Sequence, residues 1–160
     1  MGGAASAGGT HKENGDGAFR KGEYVEALYW YSLAIKESEI ISDEININTD
    51  SLAVLYSNRS AAYAGHQCPD RAYNDALRCI ELRPRWYKGY YRAAVAADGQ
   101  GDIVGACNMA DKAILLRGVQ DDDLERFSAR LSGRRSQEVS NDNLNQLPNV
   151  SAIYSWGEGK

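Results

Sequence analysis

Three sets of mostly small residues recur along this chain at one fixed spacing. Ala27, Tyr31 and Ala34 stand at offsets 0, 4 and 7; Ala72, Ala76 and Cys79 repeat those offsets, and so do Ala106, Ala110 and Ala113. Twelve residues ahead of each leading alanine comes another small residue, Gly15, Ser60 or Ala94. Offsets of 4 and 7 share one face of an α-helix, and small residues on such a face let paired helices approach closely. The pattern therefore asks for helix pairs built to one plan. Positions 72 and 106 are 34 residues apart; positions 27 and 72 are 45 apart, which is one such period plus an 11-residue insertion around SEIISDEININTD.

A helix–turn–helix period of 34 residues resembles the tetratricopeptide repeat (TPR). The resemblance covers three repeats over about Lys12 to Arg117 and implies an all-α, right-handed superhelical solenoid. The pattern places helices near 11–21 and 24–39, 50–65 and 69–82, and 86–99 and 103–116. Gly22 and the run Gly99-Gln100-Gly101 fall in turns. Pro69 suits a first helical turn, where its missing N–H would be unpaired anyway. The insertion is expected to lengthen the second helix and the loop after it, with Thr49 or Asp50 as the next N-cap. Asp121 to Asp123 precede Leu124, Phe127 and Leu131 at helical spacing. The carboxylates suit a helix N-terminus, and the apolar trio predicts a helix that caps the open end of repeat three. The expected division is a disordered tail over 1–10, a TPR domain with its capping helix over 11–133, and a flexible tail over 134–160. In that last segment Ile153, Tyr154 and Trp156 are candidates to dock on a partner or on the domain itself.

Composition removes several function classes. The net charge of −4 argues against a general nucleic-acid binder, which needs a basic stripe. No run of eighteen apolar residues occurs, so no transmembrane helix is expected, and a cytoplasmic, monomeric protein is. Cys68, Cys79 and Cys107 have no CxxC spacing and read as reduced thiols packed between helices. His11 and His66 have no ligand-spaced partner, so neither a metal nor a cofactor is expected. No phosphate-binding glycine loop and no nucleophile–base pairing is visible, which argues against an enzyme. The opening MGGAAS fits the myristoylation pattern with Gly2 as acceptor, although a single acyl chain holds a membrane only marginally.

What remains is a groove. In a stack of such repeats the first helix of each pair lines a concave surface, and on those helices the chain offers Lys12, Asn58, Lys88 and Arg92. Lys88 and Arg92 are four residues apart and so share a helical face. The words KENGD (Lys12–Asp16), LYSNRSAAY (Leu55–Tyr63) and KGYYR (Lys88–Arg92) resemble the two-carboxylate clamp of co-chaperone TPR domains. That family binds the C-terminal Glu-Glu-Val-Asp of heat-shock 90 and cytosolic heat-shock 70 chaperones. The resemblance implies that Lys12 and Asn58 hold the peptide's terminal carboxylate, and that Lys88 and Arg92 hold the side chain of its last aspartate. Charge-assisted bonds to two carboxylates are individually strong and distinguish a chain end from an internal segment. Asp16 departs from the family pattern, which has asparagine there. An ionised Asp16 cannot donate to the ligand; it either neutralises Lys12 internally, binds protonated, or marks a different ligand. Two alternatives follow: a TPR scaffold for another peptide, or the TPR regulatory part of a larger enzyme.

Overall fold

The computed structural model describes residues 9–44, 49–118 and 121–145. Gly2, with the rest of the first eight residues, and the Ile153–Trp156 aromatic segment lie outside them. Among the described residues there are seven α-helices and no strand: α1 (His11–Arg20), α2 (Tyr24–Glu44), α3 (Thr49–Gly65), α4 (Pro69–Leu82), α5 (Tyr87–Gln100), α6 (Ile103–Arg117) and α7 (Asp122–Asn145).

Local chemistry sets the helix ends. Thr10 opens α1 with a reciprocal capping box: its hydroxyl accepts from the Glu13 N–H at 3.3 Å, and its own N–H donates to Glu13 Oε2 at 2.7 Å. Pro69 sits in the first turn of α4. Asp102 caps α6 by accepting from the Gly105 N–H at 2.8 Å. The Asp121 carboxylate accepts from the N–H groups of Asp123 and Leu124 at 3.2 Å, so the acidic run caps α7 as expected. The residue five places before each leading alanine turns the chain from first helix to second with positive φ: Gly22 at 78°, Gln67 at 58° and Gly101 at 83°. Glycine takes that conformation without a Cβ clash, and glutamine does not.

The insertion lengthens α2 to Glu44, as anticipated. Thr49 and Asp50 lie inside the first turn of α3 rather than ahead of it as an N-cap. Asp50 there pairs with Arg83 across to the end of α4, at 3.0 Å. The capping helix does not stop near Gly133: α7 runs on to Asn145. Its packing ends earlier. Leu124 and Leu131 are fully buried, Leu131 among residues of α5 and α6, whereas every side chain from 132 to 140 is exposed. Arg130 and Arg134 both pair with Asp98 of α5, Arg130 at 3.0 Å, and hold α7 across that helix.

Each helix packs on the next in sequence, and α3 additionally touches both α1 and α5. The three first helices thus form one continuous face and the second helices the other. The repeat alanines Ala27, Ala72, Ala76, Ala106, Ala110 and Ala113 are wholly buried, as are Ser60 and Ala94 opposite them. Ser60 adds a hydrogen bond, donating its hydroxyl to the Ala72 carbonyl at 2.8 Å. One polar cross-link lies inside the stack. Arg59 on α3 grips Asp75 on α4 through Nε (2.7 Å) and Nη2 (2.8 Å), and its Nη1 reaches Ser32 on α2 at 3.1 Å. The Tyr56 and Tyr63 rings flank the same guanidinium.

Candidate functional site

The predicted binding residues fall on the face of the first helices: Lys12 and Asp16 on α1, Asn58 on α3, Lys88 and Arg92 on α5. Three of them meet directly. The Lys12 ammonium donates to Asp16 Oδ2 at 2.6 Å, and the Asn58 amide donates to Asp16 Oδ1 at 3.1 Å. A fourth group, Tyr31 of α2, donates its hydroxyl to the same Oδ1 at 2.8 Å. Gly15 makes that approach possible, because a Cβ there would stand 2.7 Å from the Tyr31 ring. Burial, followed by the Asp16 carboxylate, pushes the Tyr31 phenol well above its ordinary value, so it remains a donor at neutral pH.

Asp16, Asn58, Tyr31 and Arg92 line one cavity of about 230 Å³, closed by Phe19, Arg20 and Ala61. Arg92 is half-buried and its guanidinium lies 5.6 Å from the Tyr91 ring. Its Nε is fully buried and has no hydrogen-bond partner among the described residues. Burial pushes its pKa down, which marks the cost of holding a charge there without a counter-charge. Lys88 is exposed one turn earlier, its ammonium 6.0 Å from the Trp86 ring. Neither lysine lines that cavity; Lys12 borders a neighbouring one of about 410 Å³ between α1, α2 and α3, beside His11, Glu37 and Leu55. The arrangement is therefore a pit lined by two guanidiniums, Arg20 and Arg92, of which Arg92 has an unpartnered Nε, and by the Asp16 carboxylate, already hydrogen-bonded, with Lys12 and Lys88 on the same helices outside it.

Tyr31 was readable in the sequence only as core. Repeats two and three carry Ala76 and Ala110 at that repeat position, so a large hydroxyl-bearing residue among alanines was the available signal that it serves the groove. No group of three or more histidine, cysteine or acidic side chains among the described residues is placed to hold a metal ion. Asp121 and Asp123 serve α7 instead, as cap and as partner of Arg126 at 2.9 Å. No described helix is long and apolar enough to cross a membrane.

The architecture matches solved structures over most of the chain. The Sgt2 TPR domain of Aspergillus fumigatus superposes with a TM-score of 0.67 over 86% of this chain and 82% of that one, at 23% identity. The chain folds as a TPR domain. The TPR2B domain of yeast Sti1, in its pHsp70 complex, superposes with a TM-score of 0.64 over 78% of this chain and 94% of that one, at 23% identity. No family model matches the sequence. Curated relatives do. Heat shock protein STI1 of Saccharomyces cerevisiae is 36% identical over 106 residues, which are 66% of this chain and 16% of that protein. The sti1 homolog of Schizosaccharomyces pombe is 39% identical over 95 residues, 59% of this chain and 14% of its own length. Serine/threonine-protein phosphatase 5 of Homo sapiens is 40% identical over 78 residues, 49% of this chain and 13% of its own. The TPR domain thus corresponds to about one-seventh of each of these relatives.

Proposed function

We propose that this TPR domain is a co-chaperone-like adaptor, cytoplasmic and non-enzymatic, whose groove binds the acidic C-terminal peptide of a heat-shock 90 or heat-shock 70 chaperone. The observation that carries the reading is Arg92, a half-buried guanidinium with an unpartnered Nε at the wall of a cavity on the concave face. A ligand carboxylate is the group that would satisfy it. In this reading Lys88 and Arg92 hold the side-chain carboxylate of the ligand's last residue, and Lys12 and Asn58 face its chain end. Support comes from the likeness to STI1 proteins and from the peptides seen on similar folds. The yeast Sti1 domain carries pHsp70, and the first TPR of Spaghetti (RPAP3) is bound to the HSP90 peptide SRMEEVD. The phosphatase match lies within a TPR-sized segment and brings no catalytic residue to this chain.

Calorimetric titration with Ser-Arg-Met-Glu-Glu-Val-Asp tests the reading. Saturable binding that weakens with added salt is expected. Arg92→Ala and Lys88→Ala should each weaken it about ten- to a hundredfold, the worth of a charge-assisted hydrogen bond. Equal binding by the parent and both variants would refute the proposal.

A further inference from the structure

Asp16 stands where a ligand's chain end would be held. Its two oxygens take the Lys12 ammonium at 2.6 Å, the Asn58 amide at 3.1 Å and the Tyr31 hydroxyl at 2.8 Å. Lys12 and Asn58 are the two groups that the groove reading assigns to a terminal carboxylate, and both already hold a carboxylate supplied by α1 itself. That carboxylate is firmly seated. Tyr31 is 2% exposed, so its hydroxyl has little freedom to leave, and Gly15 lets its ring press against α1 from below.

A ligand's chain end then has two routes into the site, and neither gains much. It can displace Asp16, breaking about as many charge-assisted bonds as it forms. Or it can share Lys12 and Asn58 with Asp16, which sets two carboxylates side by side, an arrangement that disfavours ionising both. The opposite side of the pit differs. No carboxylate of the described residues pairs with Arg92, and its Nε lacks any partner. Lys88, one turn away, is exposed.

We infer that Asp16 is the specificity-determining residue of this groove: an internal competitor for the ligand's terminal carboxylate, which leaves the acidic side chain at Lys88 and Arg92 as the group the groove reads. The inference rests on the proposed peptide-binding function and narrows its ligand class to acidic peptides whose free chain end is not required. A peptide ending in a neutral carboxamide suits the site as well as the free acid does, because the amide N–H groups can donate to Asp16.

The test pairs two peptides with two proteins. Ser-Arg-Met-Glu-Glu-Val-Asp is prepared with a free C-terminus and with a C-terminal carboxamide, and each is titrated into the parent and into Asp16→Asn, with the melting temperature of both proteins as a folding control. The parent is expected to bind the two peptides within threefold of each other or to favour the amide. Asp16→Asn, which supplies an amide donor and no charge, is expected to favour the free acid by about ten- to a hundredfold. A parent that favours the free acid by more than threefold overturns the inference and leaves the peptide-binding function standing. A variant that gains no preference for the free acid shows that another residue sets the specificity, which also overturns it. If neither protein binds either peptide, the groove reading fails and this inference falls with it.

Discussion

Replacing Arg92 with methionine should strengthen the fold and weaken the binding. The Arg92 Nε is buried with no acceptor among the described residues, and an unsatisfied buried donor costs about 1–3 kcal/mol. Methionine keeps an unbranched, flexible stem and removes every polar hydrogen. The loss against it is the contact with the Tyr91 ring, where the guanidinium lies 5.6 Å from the centroid, worth about 0.5–1 kcal/mol. The difference leaves the free domain more stable by roughly 0–2.5 kcal/mol. At about 4 °C per kcal/mol for a domain of this size, the melting temperature should hold or rise by up to roughly 10 °C. Peptide affinity should fall about ten- to a hundredfold in the same preparation. Thermal unfolding followed by far-ultraviolet dichroism, without peptide, gives the first quantity and titration calorimetry the second. A variant that melts well below the parent would mean that the guanidinium is a satisfied structural group, and the argument from its unpaired state would collapse.

The cross-link inside the stack predicts the opposite behaviour. Asp75→Asn leaves Arg59 half-paired where its side chain is 19% exposed, and urea unfolding should show a loss of about 3 kcal/mol or more with an unchanged slope against denaturant. Gln67→Gly relieves a positive φ that repeats one and three assign to glycine; chemical unfolding should show a gain of about 0.5–1 kcal/mol once the extra freedom of the unfolded chain is subtracted, and a loss would mean that the glutamine side chain holds the turn. Burial pushes the Cys79 thiol up to about 11 from an ordinary 9.0. The folded state therefore favours the protonated thiol, so this contribution is complete below pH 9 and is lost between about pH 9 and 11. Urea midpoints measured across that range should decline less steeply in Cys79→Ala, with Tyr31 and Tyr56 accounting for the remaining slope.

The fold was legible because its determinants are local and periodic. The 0/4/7 triplets all appear as buried residues, and α4 has the bounds that Pro69 and the apolar pattern predict, because a helix start and a repeat face are written in adjacent residues. The α7 overrun was not legible for an equally local reason. Gly133 reads as a stop, yet no neighbouring atom comes within 4 Å of where its Cβ would be. A glycine on an exposed helix costs only about 1 kcal/mol, which the ion pairs of Arg130 and Arg134 with Asp98 on either side can offset. At the site, spacing located Lys12, Asn58, Lys88 and Arg92, since each follows from its place in a repeat. Pairings did not follow. Asn58 meets Asp16 across 42 positions of sequence and Arg59 meets Asp75 across 16, distances over which only the packed stack decides which donor finds which acceptor. The departure at Asp16 could be seen in the sequence; the Tyr31 hydroxyl that seats it could not.

The part of α7 beyond its last buried residue, Leu131, also gives the domain a reach. From Ser132 to Asn145 the helix advances about 1.5 Å per residue, so its last described turn stands roughly 20 Å beyond the final buried layer. Past the Arg134–Asp98 pair such a stretch of helix is a strut: it fixes a direction and a spacing in the way a flexible tether of the same length would not. Anything joined to its far end is held off the repeats at a set distance.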